Sequence, residues 1–351
     1  MKRLSWALSV LLFSLLVPTS TANASEFNFS VTTVIPDNQT DPSKTYYDLL
    51  MEPGQTQTLE MVLRNDTSED VTLNPAVHSA TTNVNGVVEY GLNEIEADPT
   101  LSYPIDQWLT IEEELIIPAE SEIVLPLEVS MPNESFDGIL AGGITLQEQL
   151  ESSTDTTDGE DQGLSIENEY AYVVGIVLQQ SEQTLTPELE LLNVSPGQLN
   201  ARNVIQATIQ NPVSMYVNQL EVKAAIKSSS TGEVFFETEK EMMQMAPNSQ
   251  FGFPIPLNGA PLEAGEYTLE MTAKAMGAEW SWSEPFTIDA DEAGQLNATD
   301  VSIPPTDYTW LYVSIGIALV FASIILFWWR RRQKKQQVGI VTQKNPPATA
   351  S

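Results

Sequence analysis

The stretch SFDGILAGGITLQE, residues 135–148, decides how this chain is read. Gly138, Gly142 and Gly143 stand among aliphatic side chains. A phosphate-cradling loop would follow its glycines with Lys-Ser or Lys-Thr and then a helix. Here Ile144-Thr145-Leu146 runs on with strand character instead. The stretch therefore reads as a turn ending at Gly138, then a buried strand over 139–146. Gly142 and Gly143 mark either a bulge or a close approach of another backbone.

A weak internal repeat supports that placement. Pro53-Gly54-Gln55 opens a strand ending at Asn65, with Val71 six residues on. Pro196-Gly197-Gln198 opens one ending at Asn211, with Val217 six residues on. Further along, IPAESEIVLPLEV (117–129) parallels MAPNSQFGFPIPL (245–257), each a proline-serine turn before a proline-bearing strand. Proline in a strand predicts a sheet edge or a bulge. SFDGILAGGITL then corresponds to LEAGEYTLEM, a turn followed by an alternating strand, so both are penultimate strands.

Period-two alternation recurs outside the two chain ends. Leu59, Met61 and Leu63 share one face, as do Ile123, Leu125, Leu127 and Val129. Leu220, Val222, Ala224 and Ile226 form another such row, and Tyr267, Leu269, Met271 and Ala273 a fourth. Short strands at regular spacing predict an all-β chain with two immunoglobulin-like antiparallel β-sandwich domains. The expected bounds are 25–182 and 183–290, with a tether over 291–307. Residues 147–168 hold many acids and no base, and read as a mobile hairpin loop projecting from the first sandwich.

The chain ends place the protein. Lys2 and Arg3, the apolar run 8–17 and Ala22-Asn23-Ala24 have the form of a secretory signal peptide over 1–24, cut between Ala24 and Ser25. An uncleaved anchor is the alternative, though the run is short for a bilayer. Residues 310–329 carry no charge, long enough for a transmembrane helix (308–329) bracketed by Tyr308, Trp310, Tyr312, Trp328 and Trp329. Arg330, Arg331 and Arg332 follow as a membrane stop and predict that the basic tail, 330–351, is cytoplasmic. All 48 acids lie between these ends with only seven Lys and Arg, a formal charge of −41. Such a surface excludes nucleic acid and favours basic partners, cations or neutral glycans, although acidity also serves plain solubility. With no cysteine, the exported part is held by its cores. Six N-x-S/T sequons occur beyond Ala24, among them Asn65-Asp66-Thr67.

Catalytic chemistry finds little support. The one histidine, His78, has no nucleophile elbow near it. One histidine and no cysteine exclude zinc and redox-metal sites in practice, and nothing calls for a cofactor. Among 48 acids no glycosidase pair stands out. Residues 289–300 place Asp289, Asp291 and Asp300 at calcium-loop spacing, but Ala293 occupies a ligand position and the closing Glu is an Asp. Tyr103, Trp108, Trp280 and Trp282 could stack on sugars or fill cores.

Several motifs carry a resemblance. FNFSVTTVIPDNQ, YYDLLMEPGQTQTLEMVLRNDTSEDVTL, TNVNGVVEYG and MPNESFDGILAGGI resemble the N-terminal domain of the WxL-interacting proteins of Gram-positive bacteria. NEYAYVVGIVLQ, LNARNVIQATIQNP, MAPNSQFGFPI and AGEYTLEMTAKA resemble their second domain. The resemblance implies a peptidoglycan-binding domain followed by one that binds host or extracellular proteins, working beside WxL-domain surface proteins and, in some settings, host matrix proteins. It carries over no ligand-contacting residues. The expectation is a membrane-anchored, non-catalytic adhesion or scaffold protein of the cell surface. The alternatives are a surface-complex assembly factor that lends a strand edge, and a wall-active glycosidase.

Overall fold

A computed structural model describes residues 28–149, 171–304 and 308–341, with side chains through Arg330. The expected signal peptide with its Ala24–Ser25 junction, the acidic loop beyond residue 149 and the last ten residues lie outside the described residues. The chain falls into two compact units, Met1–Thr299 and Asp300–Ser351.

The first unit holds two sandwiches. In the first, β1 (Phe29–Val34), β3 (Thr56–Asn65), β9 (Ser121–Ser130) and β7 (Leu109–Thr110) form one sheet in that order. The facing sheet runs β2 (Tyr47–Leu50), β11 (Ala171–Gln179), β10 (Ile139–Glu148), β4 (Val71–Ser79) and β8 (Leu115–Ile117). A two-strand hairpin, β5 (Thr81–Thr82) and β6 (Val88–Glu89), projects from the end of β4. In the second sandwich β12 (Glu190–Leu199), β13 (Arg202–Asn211) and β16 (Ser249–Pro256) face β15 (Val234–Met245), β14 (Val217–Ser228), β17 (Gly265–Ala275) and β18 (Ala278–Ile288). Among the described residues every strand pairing is antiparallel except β2 on β11. Both sandwiches are thus immunoglobulin-like, and the alternating rows read from sequence point into their cores. Leu59, Met61, Leu63, Leu125, Leu127 and Val129 are buried in the first; Leu220, Val222, Ile226, Leu269, Met271 and Ala273 are buried in the second.

The repeat extends to single residues. Asn65 ends β3 and Asn211 ends β13, each fully buried and each followed by a five-residue loop to the next strand. Asn65 Nδ2 donates to the carbonyls of Glu69 (2.8 Å), Ile117 (3.1 Å) and Pro118 (3.2 Å). Asn211 Nδ2 donates to those of Met215 and Ala246, both at 2.8 Å. Their Oδ1 atoms accept the Thr67 and Val213 amides, two residues on in each case. One side chain therefore fixes a strand end in one sheet to two segments of the other. The sequon at Asn65 is a structural amide, its hydrogen-bonding capacity spent inside the fold.

β10 and β17 are penultimate strands, as the repeat predicts. Gly142 and Gly143 do not mark a bulge, since the β10–β11 register is unbroken from Ile139 to Gln147. They mark close approach: a Cβ on Gly142 would lie 2.4 Å from the His78 carbonyl oxygen, and one on Gly143 2.4 Å from that of Tyr90. The proline-bearing β16 is an edge strand, while β9 is flanked by β7 only at Glu128 and Val129, leaving Pro126 clear.

The expected tether differs. Its first part is helix α1 (Ala290–Thr299), docked on the second sandwich. Ala293 is buried there and Leu296 packs against the same core. Asn297 bridges to the Leu262 amide and carbonyl (2.8 and 2.9 Å) and accepts from Asn203 Nδ2 at 2.8 Å. Asp291 and Glu292 in the first turn suit the positive end of the helix dipole. Read for polarity alone, the segment hides the spacing of Ala293 and Leu296 that makes it helical.

In the second unit, α2 (Thr309–Val341) contains a 22-residue apolar stretch, Thr309–Arg330, of mean hydropathy 2.4. That is long enough to cross a bilayer. Ser314 and Ser323 donate back to the carbonyls of Trp310 and Leu319, so their hydroxyls need no outside partner. The helix runs on through Arg330, Arg331 and Arg332.

Replacing Asn211 by Ala leaves the Met215 carbonyl and the Val213 amide without that partner, while the Ala246 carbonyl keeps only the Ser249 hydroxyl. Stability is expected to fall by about 2–4 kcal/mol, seen as a lower midpoint of chemical unfolding with an unchanged slope.

Candidate functional site

The stretch TNVNGVVEYG, residues 82–91, runs from the end of β5 through β6 and lies against the second sandwich. The Gly86 carbonyl accepts the Gln244 amide at 2.8 Å. Gly86 has φ +65°, and a Cβ there would lie 2.6 Å from the Met243 sulfur. Thr82 Oγ1, buried, accepts the Ala246 amide at 2.9 Å and lies 2.7 Å from Ser249 Oγ. Ala80, Val88, Ala141 and Ala246 form a small shared core beneath Tyr90 and Tyr216. The Tyr90 hydroxyl donates to that of Tyr216 at 3.1 Å. Burial pushes both phenols above their usual range.

Two further contacts complete this junction. Asp98 is 5% exposed, and its carboxylate accepts Gln210 Nε2, the Thr100 amide and the Thr100 hydroxyl. Gly138, with φ +86°, sits where a Cβ would be 2.2 Å from the Ser214 carbonyl oxygen, which also accepts the Ile139 amide at 2.8 Å. The glycine that sequence reading assigns to a turn is thus also the contact point of two domains.

Beside the junction is a cleft of about 370 Å³, to which both sandwiches contribute. The first supplies His78, Asn93, Asp106 and Gln107; the second supplies Asn248 and Gln250. Its acids have no Lys or Arg beside them in the lining. Ser79 Oγ donates to Asp106 Oδ1 at 3.1 Å and accepts the Ile105 amide. His78, Ser79 and Asp106 therefore share one cleft, but the Ser79–Asp106 bond is direct. Among the described residues no hydrogen bond joins His78 to either, so there is no proton relay of the hydrolase kind. The side-chain amides of Gln107 and Gln250 make no hydrogen bond to the described residues and face the cleft from opposite domains.

The other sequence candidates fall elsewhere. Asp289 precedes α1, Asp291 lies in its first turn and Asp300 follows its last residue. A calcium loop must wrap its ligands around one centre; ten helical residues instead rise about 15 Å. Asp300 Oδ1 accepts the Ser302 amide at 2.6 Å. The calcium reading is therefore set aside. Tyr103 and Trp108, with ring centroids 6.0 Å apart, pack against the first core. Trp280 and Trp282 pack against the second, and Trp280 Nε1 donates to Glu188. Sequence reading gave no hint of a carboxylate trio, Glu221, Glu239 and Glu241, on β14 and β15. Lys223 bridges Glu239 (2.9 Å) and Glu221 (3.1 Å), and those contacts raise its ammonium above the usual range, Glu239 most.

Gly138→Ala combines a left-handed φ with a clash against backbone. It is expected to separate the sandwiches, so that one calorimetric transition becomes two. Gly232, with φ +71° and open space around it, is the control; its Ala variant is expected to cost about 1 kcal/mol and leave the transition single. The Tyr90–Tyr216 pair adds a pH test. Folded-state phenol pKa values raised by burial give stability that is intact below the unfolded value, about 10, and is lost as pH rises beyond it. Tyr216→Phe should lower the melting temperature at about pH 8, and its difference from the parent should shrink towards about pH 11.

Comparison with known proteins follows the same two-part division. Residues 29–148 match the WxL Interacting Protein peptidoglycan-binding domain, and residues 161–298 the host-binding domain of the same family. The second match begins ahead of β11, although β11 pairs with β10 in the first sandwich. A search of the curated proteins returns no match. Among solved structures, a chaperone–tip adhesion subunit pre-assembly complex of Csu pili from Acinetobacter baumannii is 13% identical, covering 73% of this chain and 98% of that one, with a TM-score of 0.30. The E. coli chaperone DraB is 13% identical over 74% of this chain and 98% of its own, with a TM-score of 0.27. The Pseudomonas aeruginosa CupB2 chaperone is 11% identical over 67% and 95%, with a TM-score of 0.27. With both modules matched in order, the chain belongs to the WxL-interacting protein family and is a cell-surface binding protein.

Proposed function

We propose that this protein is a non-catalytic scaffold at the membrane surface that holds peptidoglycan with its first sandwich and surface proteins with its second. The second group comprises WxL-domain proteins and host extracellular proteins. The observation that carries the reading is the pair of family matches laid over two sandwiches that interlock. The leader is removed after Ala24, α2 crosses the membrane, and Arg330, Arg331 and Arg332 keep the C-terminus in the cytoplasm. A sandwich pair locked by a shared core holds the two bound partners at a fixed separation, which a flexible linker would not do.

The cleft beside the junction is the place we assign to a segment of the wall polymer. Its volume is at the lower end for ligand sites, enough for one sugar or a short peptide branch. Amides and carboxylates on its walls suit hydroxyl and amide groups. Gln107 and Gln250 offer side-chain amides that no described residue engages.

The test is co-sedimentation of the full-length protein, in detergent, with purified peptidoglycan. Gln107→Ala and Gln250→Ala should each weaken binding about fivefold, the worth of one amide hydrogen bond. Unaltered binding in both variants would move the site off the cleft, and no binding by the parent would refute the wall-binding function.

A further inference from the structure

β15 is the outer strand of its sheet. Its C-terminal end is occupied from within the chain, where the Gln244 amide bonds the Gly86 carbonyl and Lys240 Nζ reaches Asn85. From Val234 to Glu241 no strand pairs with its outer side among the described residues. At the start of this open run lies an apolar pocket of about 290 Å³, walled by Ile205, Ile226, Phe236, Leu257, Leu262 and Tyr267. Phe235 stands at its rim, 47% exposed, with its ring edge-on to Tyr267 at 5.9 Å. Alternate residues of the strand, Glu237, Glu239 and Glu241, are exposed. Glu239 shares Lys223 with Glu221, whereas Glu241 has no ion pair among the described residues.

An open edge offers a row of backbone donors and acceptors to any extended chain. The acids determine which chain it can be. A second copy pairing here would set glutamate rows against each other, which cross-strand repulsion disfavours. A strand bearing lysine or arginine meets the opposite sign. The pocket then supplies what an edge lacks, a place for one large side chain to be desolvated. The contact from Gly86 shows that this strand already takes a backbone partner along its edge.

We propose that the open edge of β15, from Val234 to Glu241, binds an extended basic segment of a partner protein as an added strand, with one large apolar side chain in the pocket beside Phe235. The proposal rests on the reading of the second sandwich as the protein-binding module, and names where and how it binds.

The probe is the blocked peptide acetyl-Trp-Lys-Val-Lys-Val-Lys-amide, with full-length protein in detergent and affinity read by fluorescence anisotropy. Methylating alternate peptide nitrogens removes strand pairing without touching the protein, and should weaken binding at least about tenfold. Replacing the peptide's Trp by Ala, or Phe235 by Ala, should cost several-fold. The exposed change Glu241→Lys should weaken binding at about 50 mM salt, with the gap narrowing at about 500 mM. Amides between 234 and 241 should gain hydrogen-exchange protection in the complex. Equal binding of the methylated peptide, or no added protection, would overturn the proposal. Capture of surface proteins by a chain that ignores the peptide would refute the edge alone and leave the module's assignment standing. Loss of both would remove both.

Discussion

Each sandwich depends on one buried asparagine. A β-sandwich has no covalent tie between its sheets here, because the chain has no cysteine. Apolar packing holds the sheets face to face but does little to fix where a strand stops and crosses over. Asn65 and Asn211 do that by polar contact. Each closes a five-residue crossing by accepting the amide two residues on and donating to the carbonyl four residues on. Each also donates across to the end of a strand in the opposite sheet. A buried amide is costly unless its donors and acceptors are met, so the site also dictates the path of the loop around it.

The two corners then play different parts. In the second sandwich the loop after Asn211 carries Ser214 and Tyr216, and both face the first domain. In the first sandwich the loop after Asn65 lies at the other end of the strands from the junction, which is built from the end of β4 and the start of β10. The domains therefore stack head to tail. Glu148, where the chain leaves β10 for the acidic segment, pairs with Leu73 at that same outer end of the first sandwich. The described strand end at Glu148 therefore lies away from the second domain.

Much of the fold was legible in the sequence because its signals are local. Alternation places the core rows, and the repeat finds Asn65, Asn211, Val71 and Val217 in register. Sequence reading could not tell what the asparagines do, since their partners Ile117 and Ala246 are some fifty and thirty-five residues distant. The glycines show the same limit. Their positions argue for bulge or close approach alike, and only the partner backbones at His78, Tyr90 and Ser214 decide. Helix α1 was hidden because its burying face is small, essentially Ala293 and Leu296, in an otherwise polar segment. The cleft was not legible at all: His78 and Gln250 meet there only because two domains do.

The junction and the outer surface respond to different forces. Among the described residues no salt bridge crosses the junction; it is made of small apolar groups, hydroxyls and amides, and its two charged groups, Asp98 and Lys240, meet neutral partners. Such contacts are nearly indifferent to ionic strength. The surface is the opposite, a large excess of exposed acids whose attraction for basic partners weakens as salt shortens the screening length. Ions can therefore tune the outer surface without loosening the frame beneath it, and that separation follows from placing glycine, alanine and neutral polar groups, not ion pairs, where the two domains touch.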